Sequence, residues 1–359
     1  MRSSAANGAE PAASQLPRGT PHLAEALGGD AEAFNQLTEP YRRELRVHCY
    51  RILGSLAEAE DMVQETFLNA WKRLRTFQAR STFRAWLYKI ATNACLDALS
   101  KRRSRRLLPA DVYPAADPHA PTAPPSTEIT WLEPFPDEWL MDQAGVDPEA
   151  RYSVRESVSL AFLAALQTLP PRQRAVLILS DVLDWSAQEM AELLGASLPA
   201  VASALRRARV TMASTYHGMP AEARRGLPTD PRERQLLERY VQAWQSADVD
   251  GLVGLLKEEA VFSMPPFPAW FRGREAIGQF VAATLFADEA MFKGKAAGRW
   301  RLEATRANGQ PGFVVYERAE AGEFRPSGIY ALRVEDGRLA QMTCFLDPGV
   351  VERFIASHA

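Results

Sequence analysis

"AEDMVQETFLNAWKRL" at residues 59–74 is followed, after six residues, by "STFRAWLYKIATNACLDALSKRRSRR" at residues 81–106. Apolar side chains recur every three or four positions of the first segment: Val63, Phe67, Ala70, Trp71 and Leu74. Polar and charged side chains occupy most positions between them. This periodicity predicts an amphipathic helix with one buried and one exposed face.

The second segment places aromatic residues ahead of a strongly basic end at residues 101–106. This combination suits opened DNA, because unstacked bases lie on aromatic rings while Lys and Arg neutralise phosphates. The same residues also fit a structural interpretation. In it, Trp86, Leu87 and Ile90 are core residues, and the basic run is a solvated helix end favoured by the helix dipole. We expect both interpretations to hold in part.

Charge is segregated along the chain. Residues 30–106 hold 15 Lys and Arg against 9 Asp and Glu. Residues 107–150 hold 9 Asp and Glu and no Lys or Arg, whereas residues 151–217 hold 7 Lys and Arg against 5 Asp and Glu. Two basic blocks joined by an acidic segment indicate a polyanionic partner that is engaged at two separated places. Ordinary solvated surfaces are the alternative.

The acidic segment, residues 107–152, is rich in proline: Pro109, Pro114, Pro118, Pro121, Pro124, Pro125, Pro134, Pro136 and Pro148. This density predicts an extended linker without regular helix or sheet. Within it, "WLEPFPDEWL" at residues 131–140 contains two Trp and one Phe. Because a solvated linker gains nothing from such rings, we expect them to dock on another part of the molecule.

Residues 153–217 have the spacing of a helix-turn-helix. Ser186 and Glu189 form a capping box that opens a short helix, Gly195 makes the turn, and Ser197 caps the next helix. Many three-helix packings share this spacing. The last helix leaves five side chains free to reach a major groove and its phosphates: Ala200, Ser203, Arg206, Arg207 and Arg209.

The order of helix and strand patterns in residues 231–359 predicts an α+β unit. Helices are expected near residues 231–246, 248–257 and 273–287, followed by antiparallel strands near 299–307, 312–319, 326–335 and 338–346. All five histidines lie outside the predicted strands. Asp347, after the last strand, is the one carboxylate suspected of a catalytic role, and we assign no catalytic residue.

The three cysteines, Cys49, Cys95 and Cys344, have neither metal-site nor disulfide-framework spacing. Residues 1–21 contain no apolar core of a signal peptide, and no apolar run approaches the roughly 18 residues of a membrane span. We therefore expect a cytoplasmic protein without metal or cofactor, and a disordered N-terminus at residues 1–21.

The segments at 59–74 and 81–106 resemble region 2 of extracytoplasmic-function (ECF) sigma factors of the sigma-70 family. The resemblance implies that the first helix packs on the clamp helices of the β′ subunit of core RNA polymerase, through Asp61, Gln64, Glu65 and Asn69. It implies that the second helix melts and reads the −10 promoter element. The residues implied to lie at this DNA are Phe83, Trp86, Asn93, Arg102, Arg103, Arg105 and Arg106.

The helix-turn-helix resembles sigma region 4. The resemblance implies contacts with the β flap of the polymerase and reading of the −35 element by the five side chains of the last helix. In this family the connection between regions 2 and 4 threads along the polymerase channel that later carries RNA. An acidic segment suits a channel that is built for phosphates.

"LLERYVQAWQSADVDGLVGLLKEEAVFSMPPFPAWFRGREAIGQFV", which begins at Leu236, resembles SnoaL-like domains, whose cone-shaped fold is shared with ketosteroid isomerase. The resemblance implies a curved sheet around a long helix, with a cavity for a small apolar ligand. Candidate lining residues are Phe262, Met264, Trp270, Phe271, Tyr330 and Phe345, which otherwise are simply core. In sigma factors of this layout, the added domain regulates activity from within the chain, and residues 131–140 are a natural docking point for it.

The predicted organisation is thus multidomain: two all-α sigma domains at 22–106 and 153–217, a linker at 107–152, a second linker at 218–230, and an α+β domain at 231–359. A helix-turn-helix regulator that binds duplex DNA without polymerase is one alternative, but it leaves the helices at 59–106 unexplained. A SnoaL-type enzyme with a DNA-binding appendage is another.

Overall fold

The computed structural model describes residues 22–77, 81–101, 105–140, 157–216, 231–289 and 294–356. Two predicted DNA-binding residues, Arg102 and Arg103, lie outside these ranges, as do the predicted N-terminal segment 1–21 and the linker 218–230. Within the described ranges, no helix combines the length and the apolar character that crossing a bilayer requires.

The first domain consists of five helices: α1 (Leu23–Leu27), α2 (Ala31–Thr38), α3 (Arg42–Leu53), α4 (Leu56–Arg73) and α5 (Phe83–Lys101). Ser55 caps α4 by accepting a hydrogen bond from the Glu58 amide, and Gly54, with a φ of 71°, ends α3 in the left-handed region that glycine adopts without strain. Helices α3, α4 and α5 pack against one another around a buried apolar core. The amphipathic helix predicted at 59–74 is therefore present.

The second domain contains α6 (Leu160–Thr168), α7 (Pro171–Leu177), a π-helical turn (Ile178–Val182), α8 (Ala187–Leu194) and α9 (Leu198–Thr215). Ser186 and Glu189 form the predicted capping box of α8, and Gly195 ends that helix with a φ of 59°. Ser197 caps α9. The helix-turn-helix spacing that these signals predict is confirmed.

The third domain holds α10 (Pro231–Ser246), α11 (Val249–Val253), β3 (Leu256–Ser263), β4 (Trp270–Arg272), α12 (Arg274–Ala283), β5 (Trp300–Ala307), β6 (Gln310–Arg318), β7 (Phe324–Glu335), β8 (Arg338–Phe345) and α13 (Pro348–Ala356). Its six-stranded sheet has the order β4-β3-β8-β7-β6-β5. The predicted α+β class is confirmed.

Two details of that prediction were wrong. The helix expected near 248–257 stops at Val253, because Leu256–Ser263 forms a strand whose Ala260 and Phe262 enter the core. The four predicted strands are antiparallel neighbours, as expected, whereas β3, which was not predicted, pairs with β8 in parallel. The helix expected to reach residue 287 ends at Ala283.

The linker also differs from the extended, unpaired segment that its prolines predict. Its residues Thr130–Trp131 (β2) pair in parallel with Arg106–Leu107 (β1). Before that strand, the linker contacts the edge of the third domain's sheet: the Ala116 amide donates to the Trp270 carbonyl (2.8 Å), and the Trp270 indole donates to the Tyr113 carbonyl (2.8 Å). The prolines prevent a continuous ladder, but isolated amides still pair with an exposed edge strand.

Candidate polymerase and promoter interfaces

Helix α4 presents the residues predicted to contact polymerase on its solvent side. Asp61, Gln64 and Glu65 are exposed, and Asn69 is half-buried. Leu68, on the same side, is 60% exposed, which is unusual for a large apolar residue. The opposite side of the helix, with Val63, is buried in the domain core. The predicted polymerase-facing surface is therefore free in this structure.

Helix α5 divides its predicted DNA-binding residues between core and surface. Asn93 is exposed and Trp86 is half-buried. Phe83 is only 4% exposed and packs on Phe77 and Trp86, with ring centroids 5.6 Å apart in each pair. Phe83 is thus a core residue that supports the Trp86 ring rather than a free platform for a base. The structural interpretation, made for Trp86, Leu87 and Ile90, holds for Leu87 and Ile90, which are buried, and in part for the half-buried Trp86.

The basic end of α5 is also divided. Arg105 is exposed, as is Lys101. Arg106, expected to be a free cation at the DNA backbone, is instead 7% exposed and forms ion pairs with Glu133 (3.0 Å) and Glu58 (3.2 Å). Its burial lowers the pKa of the Arg106 guanidinium, while the Glu133 carboxylate acts in the opposite direction. The difference arises because the acidic linker folds back onto this cation.

The recognition helix α9 has most of its predicted DNA-binding side chains on the surface. Ala200, Arg206, Arg207 and Arg209 are exposed, and Ser203 is half-buried and accepts a hydrogen bond from Arg207 (2.6 Å). Arg209 donates to Asp181 (2.6 Å), and this hydrogen bond raises the pKa of the Arg209 guanidinium. Asp181 therefore holds one predicted DNA contact within the protein.

The two helical domains pack directly on each other, which the sequence did not predict. The buried Arg174 of α7 donates to the Ile52 carbonyl of α3 and to Gln167 Oε1 (2.7 Å). The Lys89 ammonium of α5 donates to the Glu192 carbonyl of α8 (3.1 Å). The rings of Tyr88 and Trp185 lie 5.7 Å apart. Part of α5 is thus covered by the helix-turn-helix domain.

Three families match successive parts of the chain: Sigma-70 region 2 at residues 37–105, Sigma-70 region 4 at 159–212, and the SnoaL-like domain at 237–342. Over 322 residues the chain is 42% identical to the ECF RNA polymerase sigma factor SigG of Mycobacterium tuberculosis (strain CDC 1551 / Oshkosh), a match that covers 89% of this chain and 83% of that protein. The chain belongs to the ECF sigma factors. Members of this family direct transcription initiation by RNA polymerase.

Other relatives agree with this assignment. The ECF sigma factor SigW of Bacillus subtilis (strain 168) is 28% identical over 183 residues, which cover 50% of this chain and 87% of that protein. The crystal structure of the ECF sigma factor SigJ of Mycobacterium tuberculosis aligns with a TM-score of 0.53 over 88% of this chain and 98% of that one. At 22% identity, this likeness concerns the fold.

In this sigma factor, Asn308 joins all three domains. It lies at the tip of the β5–β6 hairpin, has a φ of 57° and is fully buried. Its Oδ1 accepts from the Phe135 amide (2.9 Å), and its Nδ2 donates to Tyr50 Oη (2.8 Å) and to the Val158 carbonyl (2.8 Å). One amide side chain thus links the SnoaL-like domain to region 2, to the linker and to the segment that leads into region 4.

The aromatic linker residues complete this junction, as predicted from their composition. Phe135 is fully buried against Tyr50, with ring centroids 4.5 Å apart. The Arg46 guanidinium lies 3.7 Å from the ring centroid of Trp139. Asp137, 2% exposed, accepts from the Gly309 amide (2.7 Å). Asn308 was not predicted, although Asn308-Gly309 between two strands is a hairpin signal in the sequence.

The candidate cavity residues of the SnoaL-like domain are all buried: Phe262, Met264, Trp270, Phe271, Tyr330 and Phe345. Phe271 stacks on Phe280, and the tilted ring of Phe262 packs against Phe280, so these side chains occupy the interior together. Phe345 belongs instead to the core shared with the sigma domains and borders a cleft of about 450 Å³ beneath the linker. Asp347 also lines this cleft, and its side chain accepts a hydrogen bond from the Val350 amide (3.0 Å) at the start of α13. This hydrogen bond gives Asp347 a structural role as a helix cap.

Proposed function

We propose that this sigma factor binds core RNA polymerase through the exposed side of α4, reads the −10 element with α5 and the −35 element with α9, and is held closed by its own C-terminal domain. The main observation that supports closure is the direct packing of the two sigma domains. The two promoter elements lie roughly 25 base pairs apart, which is roughly 85 Å of duplex at about 3.4 Å per base pair. Domains in contact with each other cannot reach both elements.

The surfaces fit a stepwise activation. The polymerase side of α4 is exposed while α5 is partly covered by α7 and α8. Core polymerase is therefore able to dock first on α4, and the β′ clamp and β flap then compete with the contacts between regions 2 and 4. A partner shifts such an equilibrium only by its higher affinity for the open state.

The SnoaL-like domain contributes the contacts that favour closure. Asn308 and the buried Asp137 connect its hairpin to the linker, and the apolar side chains Val351 and Phe354 of α13 join the core of the sigma domains. In this proposal the domain is a regulatory element without catalytic activity, and the protein acts in the cytoplasm. A small apolar ligand is then an effector of closure rather than a substrate.

The acidic linker has a further proposed role on the polymerase. Once released from the sigma domains, its carboxylates occupy phosphate sites in the RNA channel until the growing transcript displaces them. Replacing several of these acids by Lys should then change promoter escape. Unchanged initiation and escape would contradict this part of the proposal.

Asn308→Gly tests closure, because glycine retains the positive φ of the turn while the side chain is removed. Each buried partner that loses its hydrogen bond costs about 1 kcal/mol or more, so the open state should gain at least about tenfold in population. Run-off transcription with core polymerase should rise accordingly at limiting polymerase. Asn308→Asp, which buries a carboxylate against the Val158 carbonyl oxygen, should give a rise at least as large. An unchanged transcript yield from the glycine variant would contradict regulation by this contact.

A further inference from the structure

The linker carboxylate of Glu133 occupies the amino-terminal end of helix α4. Its Oε2 accepts from the amides of Leu56 (2.9 Å) and Ala57 (3.4 Å), and its Oε1 accepts from Ser55 Oγ (2.9 Å) and Arg106 Nη1 (3.0 Å). Glu133 is 9% exposed. Four converging donors therefore surround one carboxylate in a buried position.

All four donors belong to region 2, whereas the acceptor belongs to the linker. Ser55 and the two amides lie at the start of the 18-residue helix α4, where unpaired N–H groups and the helix dipole attract anions. The Arg106 side chain is 8% exposed, and its Nε has no hydrogen-bond partner among the described residues. Glu58 of α4 also pairs with Arg106 (3.2 Å). Because this contact lies within region 2, the donor set, which we call the α4 cradle (Ser55, Leu56 N, Ala57 N and Arg106), is expected to stay together when the linker moves away.

We propose that the α4 cradle is an oxyanion site, filled by Glu133 in the closed state and by a backbone phosphate of promoter DNA in the open state. This inference rests on the proposed function. A carboxylate and a phosphodiester both present two anionic oxygens on one atom, and Arg with backbone amides suits either group. Arg106 is the last residue of the basic run 101–106, so a strand bound by the other cations of that run would lie close to the cradle. Those cations make DNA, rather than a small free phosphate, the proposed source.

The exchange couples two events. While Glu133 fills the cradle, a phosphate is excluded, and the linker stays fixed between Gly54, whose carbonyl accepts from the Glu133 amide (3.1 Å), and β1. Once DNA supplies the phosphate, the linker cannot return to the same donors. Promoter binding and linker release therefore stabilise each other, as two ligands competing for one site require.

Salt dependence of promoter binding tests the exchange, because each neutralised phosphate adds about 0.9 to the slope of log affinity against log salt. The full chain is assembled with core polymerase, and its affinity for promoter DNA is measured at salt concentrations from about 50 to about 200 mM, roughly a fourfold range. Glu133→Gln should bind more tightly than the unmodified chain. The double variant Glu133→Gln/Arg106→Gln should have a slope that is smaller by about one. Its affinity should therefore fall by a factor roughly threefold smaller than that of Glu133→Gln over this salt range.

Two control variants and a chemical probe complete the design. Arg106→Lys in the Glu133→Gln background retains the charge and should retain the slope, and Arg325→Gln, an exposed cation of the SnoaL-like domain, should leave it unchanged. If Arg106→Gln impairs folding in a thermal melt, methylphosphonate substitution of single DNA phosphates replaces it. One neutralised phosphate upstream of the −10 element should then cancel the affinity that Glu133→Gln gains.

Three outcomes would overturn the inference. The first is an equal salt slope with and without Arg106, and the second is the absence of any sensitive phosphate position. The third is that inorganic phosphate, at constant ionic strength, displaces Glu133 from the cradle while the salt slope of DNA binding does not depend on Arg106. The cradle would then be a site for a small free oxyanion. Failure of the chain to bind core polymerase would instead refute the proposed function, and a separate pull-down detects it.

Discussion

The two helices of region 2 that define this sigma factor, α4 and α5, differ in how much of their predicted binding surface the rest of the chain covers. On α4, Asp61, Gln64 and Glu65 face solvent. On α5, the Lys89 ammonium is engaged by α8, and beyond the helix the Arg106 guanidinium is buried by the linker. The closed structure thus leaves the predicted polymerase surface open and restricts the predicted DNA surface. Under the proposed function, such an arrangement would make promoter recognition depend on prior docking.

The largest effect should come from reversing charge on the open surface. Asp61→Lys combined with Glu65→Lys should weaken core-polymerase binding by about 3 kcal/mol, more than a hundredfold, because both side chains lie at the centre of the predicted contact. Binding is measured by titration with labelled core enzyme. The melting temperature should stay nearly unchanged, since both carboxylates are exposed and the hydrogen bond that Glu65 accepts from Asn69 (3.5 Å) lies at the surface.

The matched control for this prediction is Glu323→Lys, a reversal at an exposed position of the SnoaL-like domain. It should leave polymerase affinity unchanged. Equal affinity of the double variant and the unmodified chain would show that α4 does not face the polymerase, and the contrast between α4 and α5 would lose its functional meaning.

An effect of intermediate size, on the free energy of unfolding, is expected from His48. This residue of α3 is fully buried against α5. Its Nε2 is 2.8 Å from Thr92 Oγ1, and burial lowers the pKa of His48 to about 3. The folded state therefore keeps His48 neutral, while the unfolded chain takes up a proton below about pH 6.5. Stability should be fully present above that pH and fall as pH decreases towards 3, by about 1.4 kcal/mol between pH 7.5 and 5.5.

Urea unfolding of the unmodified chain and of His48→Gln at these two pH values measures this contribution. The loss on acidification should be smaller in the variant by about 1.4 kcal/mol. The same loss in both proteins would mean that His48 is not held neutral, and the α3–α5 core would be more hydrated than its burial indicates.

The smallest effect should come from the exposed pair of Arg209 and Asp181. Asp181→Asn removes the partner carboxylate and frees a predicted −35 contact, but exposed ion pairs contribute little. We expect about a twofold gain in affinity for −35 duplex, measured by fluorescence anisotropy. Asp184→Asn, in the same turn, is the matched control. A decrease in affinity would indicate that Asp181 instead orients Arg209 for DNA.

Local sequence signals predicted the elements of the sigma domains well. The S-x-x-E box at Ser186, Gly195 and Ser197 act within a few residues, so their outcome does not depend on distant packing. The strand at Leu256–Ser263 was missed because charged residues interrupt its apolar pattern, and its pairing with β4 and β8 makes it a strand. Tertiary pairing overrides a weak local preference there.

By itself, the sequence determined the family, the three-domain order, the amphipathic character of α4 and the tendency of Phe135 and Trp139 to dock. The family comes from the resemblance of motifs to known proteins, and the other features follow from periodicity, capping and composition, which are properties of neighbouring residues. Only the tertiary structure decided that Arg106 is paired with Glu133, 27 positions away, and that Asn308 bonds Tyr50, 258 positions away. Burial makes such polar contacts obligatory, because an unpaired buried group is costly, yet which distant groups meet depends on how whole domains pack.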